Sequence, residues 1–422
     1  MQIVLASPGT GPHVQQVGRA FFEAGILLRL ATTLAARPDS GWQRGMCRVA
    51  RMIGFDLKRQ LERRRIREIP LSLVKDYPWP EIVRIAVGCL NGKGPLEDTI
   101  FDWSNSVFDR WVGATALEKA GAVYGYEYSC LATFQSAQKQ GIRRIYDVPA
   151  PHHDFVQDIL EKELGLYPEL CTPYQKHIKL RQKCRTERRR QEWELADVVI
   201  ANSEFTKSSY RSHGWDVTKV CALPLGAPPC NGGGLEGGTR GQGPLRFLSA
   251  GTFSIRKGAH HLLNAWRDLK SGNLARLDVY GSVELPRQCL QGLPDSVHFY
   301  GSIPHGELIT HYRQADMLVF PTLCDGFGMV VAEGFAQGLP VITTDRAGAA
   351  ELVKHGSNGL IVPAGNVEAL TEALDWCVNH RQELRAMRKS ALDAAAAWQW
   401  TDYRRVLVKN ILQVLEPKYS GN

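Results

Sequence analysis

Short apolar runs alternate with longer amphipathic ones along this chain, which predicts parallel β-strands joined by helices. Gln2-Ile-Val-Leu-Ala6 reads as a first strand, followed by a Gly-Pro loop and a helix from about Val14 to Ala24. Further strands are predicted at 121–127, 144–148 and 196–201, with a helix over 131–140. The pattern then breaks at the glycine-rich run 228–244, which cannot sustain a regular element and reads as a linker. Beyond it the alternation restarts, with strands at 246–250, 275–280, 297–300, 317–320 and 340–343 and a helix near 258–270. The segment 398–415 has the periodicity of an amphipathic helix.

A length of 422 residues suits two domains. The expected division is an N-terminal domain at 1–227, the linker at 228–244 and a C-terminal domain at 245–397. Two such α/β domains turn the carboxyl ends of their strands toward a shared cleft, where ligands bind. Apolar residues make up 44% and charged residues 22%, which fits a soluble globular protein, and no apolar run approaches a membrane span. The first residues lack a basic segment before a long apolar core, so they read as a strand and not a signal peptide. None of the ten cysteines is spaced C-x-x-C, which predicts reduced thiols, a cytoplasmic setting and no zinc.

The net charge of +8 is clustered. Segment 44–68 holds nine Lys/Arg against three acids, and segment 176–190 holds eight against one. Beside Met52, Ile53, Phe55 and Leu57, the first cluster resembles a helix able to lie on an anionic membrane surface. A solvated charged face is the plainer reading of either cluster. Nucleic acid is not expected as a partner, because no aromatic platform or binding motif accompanies the charge.

Four places could carry chemistry. Asp325 closes the run Leu318-Val-Phe-Pro321 and precedes the turn Gly326-Phe327-Gly328, with Glu333 two helical turns later. Two acids so spaced can hold an extended ligand at two points, although a helix cap and a surface residue would look the same. Arg256 and Lys257 stand before Gly258 at a helix entrance, where cations oppose the helix dipole unless an anion lies between them. Gly9 and Gly11 open the helix after the first strand and would let a ligand approach the backbone, but Val14 breaks the dinucleotide fingerprint. His152 and His153 follow a strand and could donate to a substrate oxygen; adjacent side chains diverge too far for a metal pair. No D-x-D or P-loop pattern occurs near these residues.

Together with Ala196-Asp-Val-Val-Ile-Ala-Asn-Ser-Glu204, Leu223-Pro-Leu-Gly226, Gly301-Ser-Ile-Pro304, Ala347-Gly-Ala-Ala-Glu351 and Gly356-Ser-Asn-Gly359, these motifs resemble the family 4 glycosyltransferases. That family comprises retaining enzymes of the GT-B fold, and the resemblance points to its bacterial polysaccharide-assembly members. It is strongest from Ala196 to about Leu374, and the first 120 residues match only in layout. It implies an NDP-sugar donor with no cofactor and no metal, and a C-terminal helix that returns to the N-terminal domain. Lys257 and Arg256 would hold the diphosphate, Glu333 the ribose, and Asp325 with the backbone of Gly326, Phe327 and Gly328 the transferred sugar. Gly9 and Gly11 would approach the diphosphate, and His152 or His153 the sugar ring. Thr252 stands where many relatives carry arginine, leaving Arg256 and Lys257 as the main cations. The expected activity is metal-independent transfer, with retention, to a glycan or lipid-linked acceptor at the inner face of the cell membrane. An NDP-sugar epimerase or a non-catalytic subunit on the same fold are the alternatives.

Overall fold

A computed structural model describes residues 1–52, 56–91, 94–230 and 243–415. The first sheet contains β1 (Ile3–Ala6), β2 (Leu27–Thr32), β3 (Val74–Asp76), β4 (Ala122–Tyr126), β5 (Arg143–Val148), β6 (Val198–Ala201) and β7 (Val220–Ala222). The second contains β8 (Leu245–Ala250), β9 (Ala275–Tyr280), β10 (Val297–Gly301), β11 (Met317–Phe320), β12 (Val341–Thr344) and β13 (Gly359–Val362). All neighbouring strands are parallel. Helices cover both faces, so the central strands are buried on both sides and read as unbroken apolar runs. Ile3, Val4 and Leu5 in β1 and Leu318 and Val319 in β11 are fully buried.

The strand orders are β3-β2-β1-β4-β5-β6-β7 and β10-β9-β8-β11-β12-β13. Each sheet starts from a central strand, winds outward one way and then reverses. The reversals fall between β1 and β4 and between β8 and β11. In doubly wound sheets the loops at that switch point form the ligand crevice. The loops after β1 and β8 carry Gly9, Gly11, Arg256 and Lys257, and the loop after β11 carries Asp325. The sequence candidates therefore stand where this topology puts ligands.

Most of the linker expected at 228–244 lies outside the described residues, as do Ile53 and Phe55 of the basic segment. The C-terminal helix Trp400–Leu415 does return to the first domain, where it packs on helix Pro12–Glu23. Tyr403, Leu407 and Ile411 recur every four residues and bury one face. Arg404 donates to Glu23 at 2.8 Å and Gln16 at 2.7 Å.

The two domains meet at polar contacts as well. Glu351 accepts the Glu204 N–H at 2.7 Å, at the start of helix Glu204–Ser212. At a second joint Glu163 lies 2.9 Å from His260 Nε2 and 2.8 Å from His261 Nε2, all three side chains buried. Burial alone would raise the Glu163 carboxyl, but the two histidines hold it down at about 2.

Candidate donor site in the interdomain cleft

Asp325 continues from β11 and forms a bridge with Ala347, which fixes it at the edge of the second sheet. Its Oδ2 is in contact with Lys257 Nζ and lies 3.6 Å from Arg256 Nη1. Arg256 also donates to the Cys324 carbonyl at 3.0 Å, and its own carbonyl accepts the Leu323 N–H at 2.9 Å. The loops after β8 and β11 are thereby tied into one cationic corner. Burial, with the Arg256 guanidinium alongside, pushes the Lys257 ammonium down to about 7. The Asp325 carboxylate in contact with it pulls the other way.

The Gly-Phe-Gly turn is shaped by close approach. A Cβ on Gly326 would stand 2.2 Å from the Pro149 carbonyl oxygen of the first domain, so only glycine lets the domains meet here. Ser203 donates to the Gly326 carbonyl at 2.6 Å, and Phe327 N–H donates to Asp325 at 3.2 Å. Of the turn's backbone, expected to contact the sugar, the Gly326 carbonyl and the Phe327 N–H are thus engaged within the protein. Gly328 has φ 92°, a left-handed conformation that favours glycine, and starts helix Met329–Phe335 with no side chain capping it.

Glu333 lies on this helix and is held from a neighbouring one, His305–Gln314. His305 Nε2 is 3.1 Å from one carboxylate oxygen and Tyr312 donates to the other at 3.2 Å. The bond to Glu333 raises the His305 imidazole above its ordinary value. Sequence reasoning missed both partners. They are seven residues apart on one helix face, a spacing visible in the sequence but meaningless until that helix is placed beside Glu333.

His152 and His153 require a correction. His152 accepts the Asp154 N–H through Nδ1 and so caps helix His153–Leu166. Its ring is enclosed by Tyr210, His213 and Trp215 at centroid distances of 5.1, 4.8 and 4.9 Å. Burial lowers both histidines to about 4. Neither lines the cavity of about 180 Å³ that Asp325, Phe327 and Gly328 share with the first domain. The first-domain groups that do line it include the titratable side chains His13 and Asp147, both missed in the sequence. Burial raises the Asp147 carboxyl to about 7, against the bond donated by Tyr124. Gly9 and Gly11 line an adjoining cavity, which also includes His13.

The basic segment 176–190 is spent largely on internal pairs. Arg181 and Arg185 bind Asp102 at 2.9 and 2.8 Å, Arg188 binds Asp109 at 2.7 Å, and Arg189 binds Glu127 at 2.6 Å. Segment 44–68 differs: helix Gly41–Met52 exposes Trp42, Val49 and Met52 beside Arg44, Arg48 and Arg51. No helix among the described residues is long and apolar enough to cross a membrane. The group of described residues with metal-ligand spacing is Glu163, His260 and His261, whose donor atoms lie within 4.8 Å of one another. It sits at the second joint and not beside Asp325.

Residues 238–393 match the family described as Glycosyl transferases group 1. Over 109 residues the chain is 32% identical to D-inositol 3-phosphate glycosyltransferase of Nocardia farcinica, covering 26% of this chain and 24% of that protein. Over 132 residues it is 33% identical to the capsular polysaccharide biosynthesis glycosyltransferase CapM of Staphylococcus aureus, covering 29% and 34%. The matched stretches thus span about a quarter to a third of these relatives. In three dimensions the likeness extends over the whole chain. Sucrose-phosphate synthase from Thermosynechococcus elongatus superposes with a TM-score of 0.65 at 18% identity, covering 98% of this chain and 99% of that one. Anabaena HepE in complex with UDP superposes with a TM-score of 0.62 at 15% identity, covering 98% and 100%. The second domain thus matches the group 1 glycosyltransferases, and the chain as a whole has the two-domain GT-B fold.

Proposed function

We propose that the protein transfers a sugar from a nucleoside-diphosphate donor to a glycan or lipid-linked acceptor in polysaccharide or cell-envelope glycan assembly. The observation that carries this reading is the corner of Arg256, Lys257 and Asp325, with Glu333 two helical turns away on a clamped side chain. Nucleotide-sugar transfer needs a stabilised diphosphate leaving group and a fixed ribose. Lys257 and Arg256 meet the first need, and preorganised charge of this kind is often the largest catalytic contribution. Glu333, with both oxygens already oriented by His305 and Tyr312, is placed to accept from ribose hydroxyls. One solved neighbour on this fold, Anabaena HepE, is described in complexes with UDP and with UDP-glucose, which supports a donor of that chemical class.

On this reading the donor displaces Lys257 and Arg256 from Asp325 onto its phosphates, and Asp325 is released toward the transferred sugar. The cationic pair lets the diphosphate depart without a metal ion. A phosphate oxygen of the departing group takes the acceptor proton on the face it leaves, so the anomeric configuration is retained. Contact of Pro149 and Ser203 with the Gly326 turn keeps water out while the bond is exchanged. Helix Gly41–Met52, with its exposed apolar and basic residues, would hold the protein at an anionic membrane surface from the cytoplasmic side.

Incubation with single NDP-sugars, with and without a lipid extract, tests the reaction. Transfer of label into the extract, with only slow release of free sugar in its absence, is the expected result. Conversion to a different NDP-sugar without any acceptor would instead identify an epimerase.

A further inference from the structure

The first domain presents to the cleft a cationic cavity of which the donor reading uses only the Gly9–Gly11 edge. It measures about 710 Å³, extends from the Gly9–Gly11 loop, and meets the Asp325 cavity at His13 and Pro149, which line both. Its charged lining consists of Arg63, Arg64, Arg84 and Arg189 against Glu81 and Glu127. Arg64 and Arg84 converge on the same Glu81 carboxylate, with Nε–O distances of 3.0 and 2.8 Å, and Arg84 has a second, looser partner in Glu97 at 3.8 Å. Arg63 is exposed and forms no ion pair among the described residues. Behind the wall Glu97 offsets part of the Arg84 charge, while Asp102 and Asp109 are taken by Arg185 and Arg188, which leaves Arg63 as the lining cation with no acid beside it among the described residues.

A second observation comes from groups left without partners. Arg189 bonds Glu127 through Nε, but its Nη1 is buried with no hydrogen-bond partner. Its guanidinium stacks 4.6 Å from the Tyr128 ring, which fixes its plane. Tyr126 OH and Thr10 Oγ1, on two further residues of the same lining, are also buried and unpartnered. A buried guanidinium N–H without an acceptor carries its full desolvation penalty, which oxygen atoms of an anion remove through charge-assisted bonds.

Resting on the glycosyltransferase reading, in which this cavity faces the sugar end of the donor, we propose that the acceptor is anionic. Its phosphate or carboxylate group is held by Arg63, Arg84 and Arg189. The charge anchors the acceptor and leaves a hydroxyl directed through the His13–Pro149 opening toward Asp325.

The test is calorimetric titration of the full-length protein with citronellyl phosphate, with methyl glucuronoside, and with neutral octyl glucoside below its micellar range. The same titrations are made on R63Q and R84Q. At least one anion binds the wild type, each substitution weakens it about tenfold, and added salt weakens it further. Which anion binds distinguishes a phosphate-bearing acceptor from a uronic-acid one. Failure of both anions to bind, equal binding of the neutral glycoside, or binding untouched by both substitutions overturns the proposal. UDP and GDP titrated into the same samples keep the two readings apart. Nucleotide binding that persists while anion binding fails rejects the anionic acceptor alone, whereas absence of nucleotide binding by the wild type rejects the donor reading beneath it. Arg63 is exposed, so R63Q keeps the fold, and unchanged nucleotide affinity in that variant confirms it.

Discussion

The second domain builds its half of the cleft from near neighbours in sequence, and the first builds its half from residues scattered along most of its length. Arg256 and Lys257 are adjacent, and Asp325 and Glu333 belong to one strand–turn–helix unit. The first-domain lining draws on Gly9, Arg63, Glu81, Glu127, Asp147 and Arg189. A nucleotide diphosphate is a constant ligand that a local motif can hold. A cavity assembled from distant loops, as the proposed acceptor cavity is, can change residue by residue without disturbing a motif. The stretch that matches the group 1 family, 238–393, lies almost wholly in the second domain.

Removing the cation at the centre of the local half gives the largest expected effect. Lys257→Ala should lower transfer by about 10²–10³-fold, the scale of losing one preorganised charge at a developing anion. Initial rates with a saturating acceptor, beside an unchanged circular dichroism spectrum, measure it. A near-wild-type rate would mean that the nucleotide is held by the first domain, and the contrast between the halves would be reversed.

The joint between the halves comes next. Gly326→Ala puts a methyl group 2.2 Å from the Pro149 carbonyl, so the domains must part or the turn must shift. Overpacking of this type costs about 1–3 kcal/mol, and transfer should fall about tenfold or more while nucleotide binding is largely kept. Equilibrium unfolding and calorimetry together separate the two effects.

Glu333→Gln keeps the shape of the proposed ribose contact and removes its charge, and it should weaken donor binding by about five- to tenfold with a smaller change in kcat. The smallest effect is the pH dependence of nucleotide binding. On the proposed reading the cationic form of Lys257 leaves the single charge of Asp325 for the larger charge of the diphosphate, so binding raises its pKa from a free value of about 7. Affinity is therefore fully present below about 7 and lost as pH rises above it, by about three- to tenfold between pH 7 and 8.5. Calorimetry in buffers of different ionisation enthalpy should show proton uptake on binding at pH 8, and Lys257→Ala should abolish it.

The alternating pattern made the two sheets legible, because strands buried on both faces leave continuous apolar runs such as Ile3–Ala6 and Met317–Phe320. The grouping of the second-domain candidates was legible because their spacing along one helix or loop is also their spacing in space. His152 and His153 looked like site residues from their place after a strand, but Tyr210 and Trp215, far along the chain, enclose His152. The partners of Glu333 and the position of Asp147 likewise depend on packing between elements. Charge counts misled for a related reason: the cations of 176–190 meet acids from helix Pro95–Thr115 and the end of β4, which no local count reveals.

The central claim is that Lys257 and Glu333 mark the two ends of one nucleotide-sugar site. A thermal-shift series with UDP- and GDP-sugars and the corresponding diphosphates, on wild type, Lys257→Ala and Glu333→Gln, addresses it directly, since a ligand bound only to the native state raises Tm by mass action. The account predicts that at least one NDP-sugar stabilises the wild type, that Lys257→Ala loses the shift, and that Glu333→Gln reduces it. No shift with any nucleotide, or equal shifts in all three proteins, would contradict it.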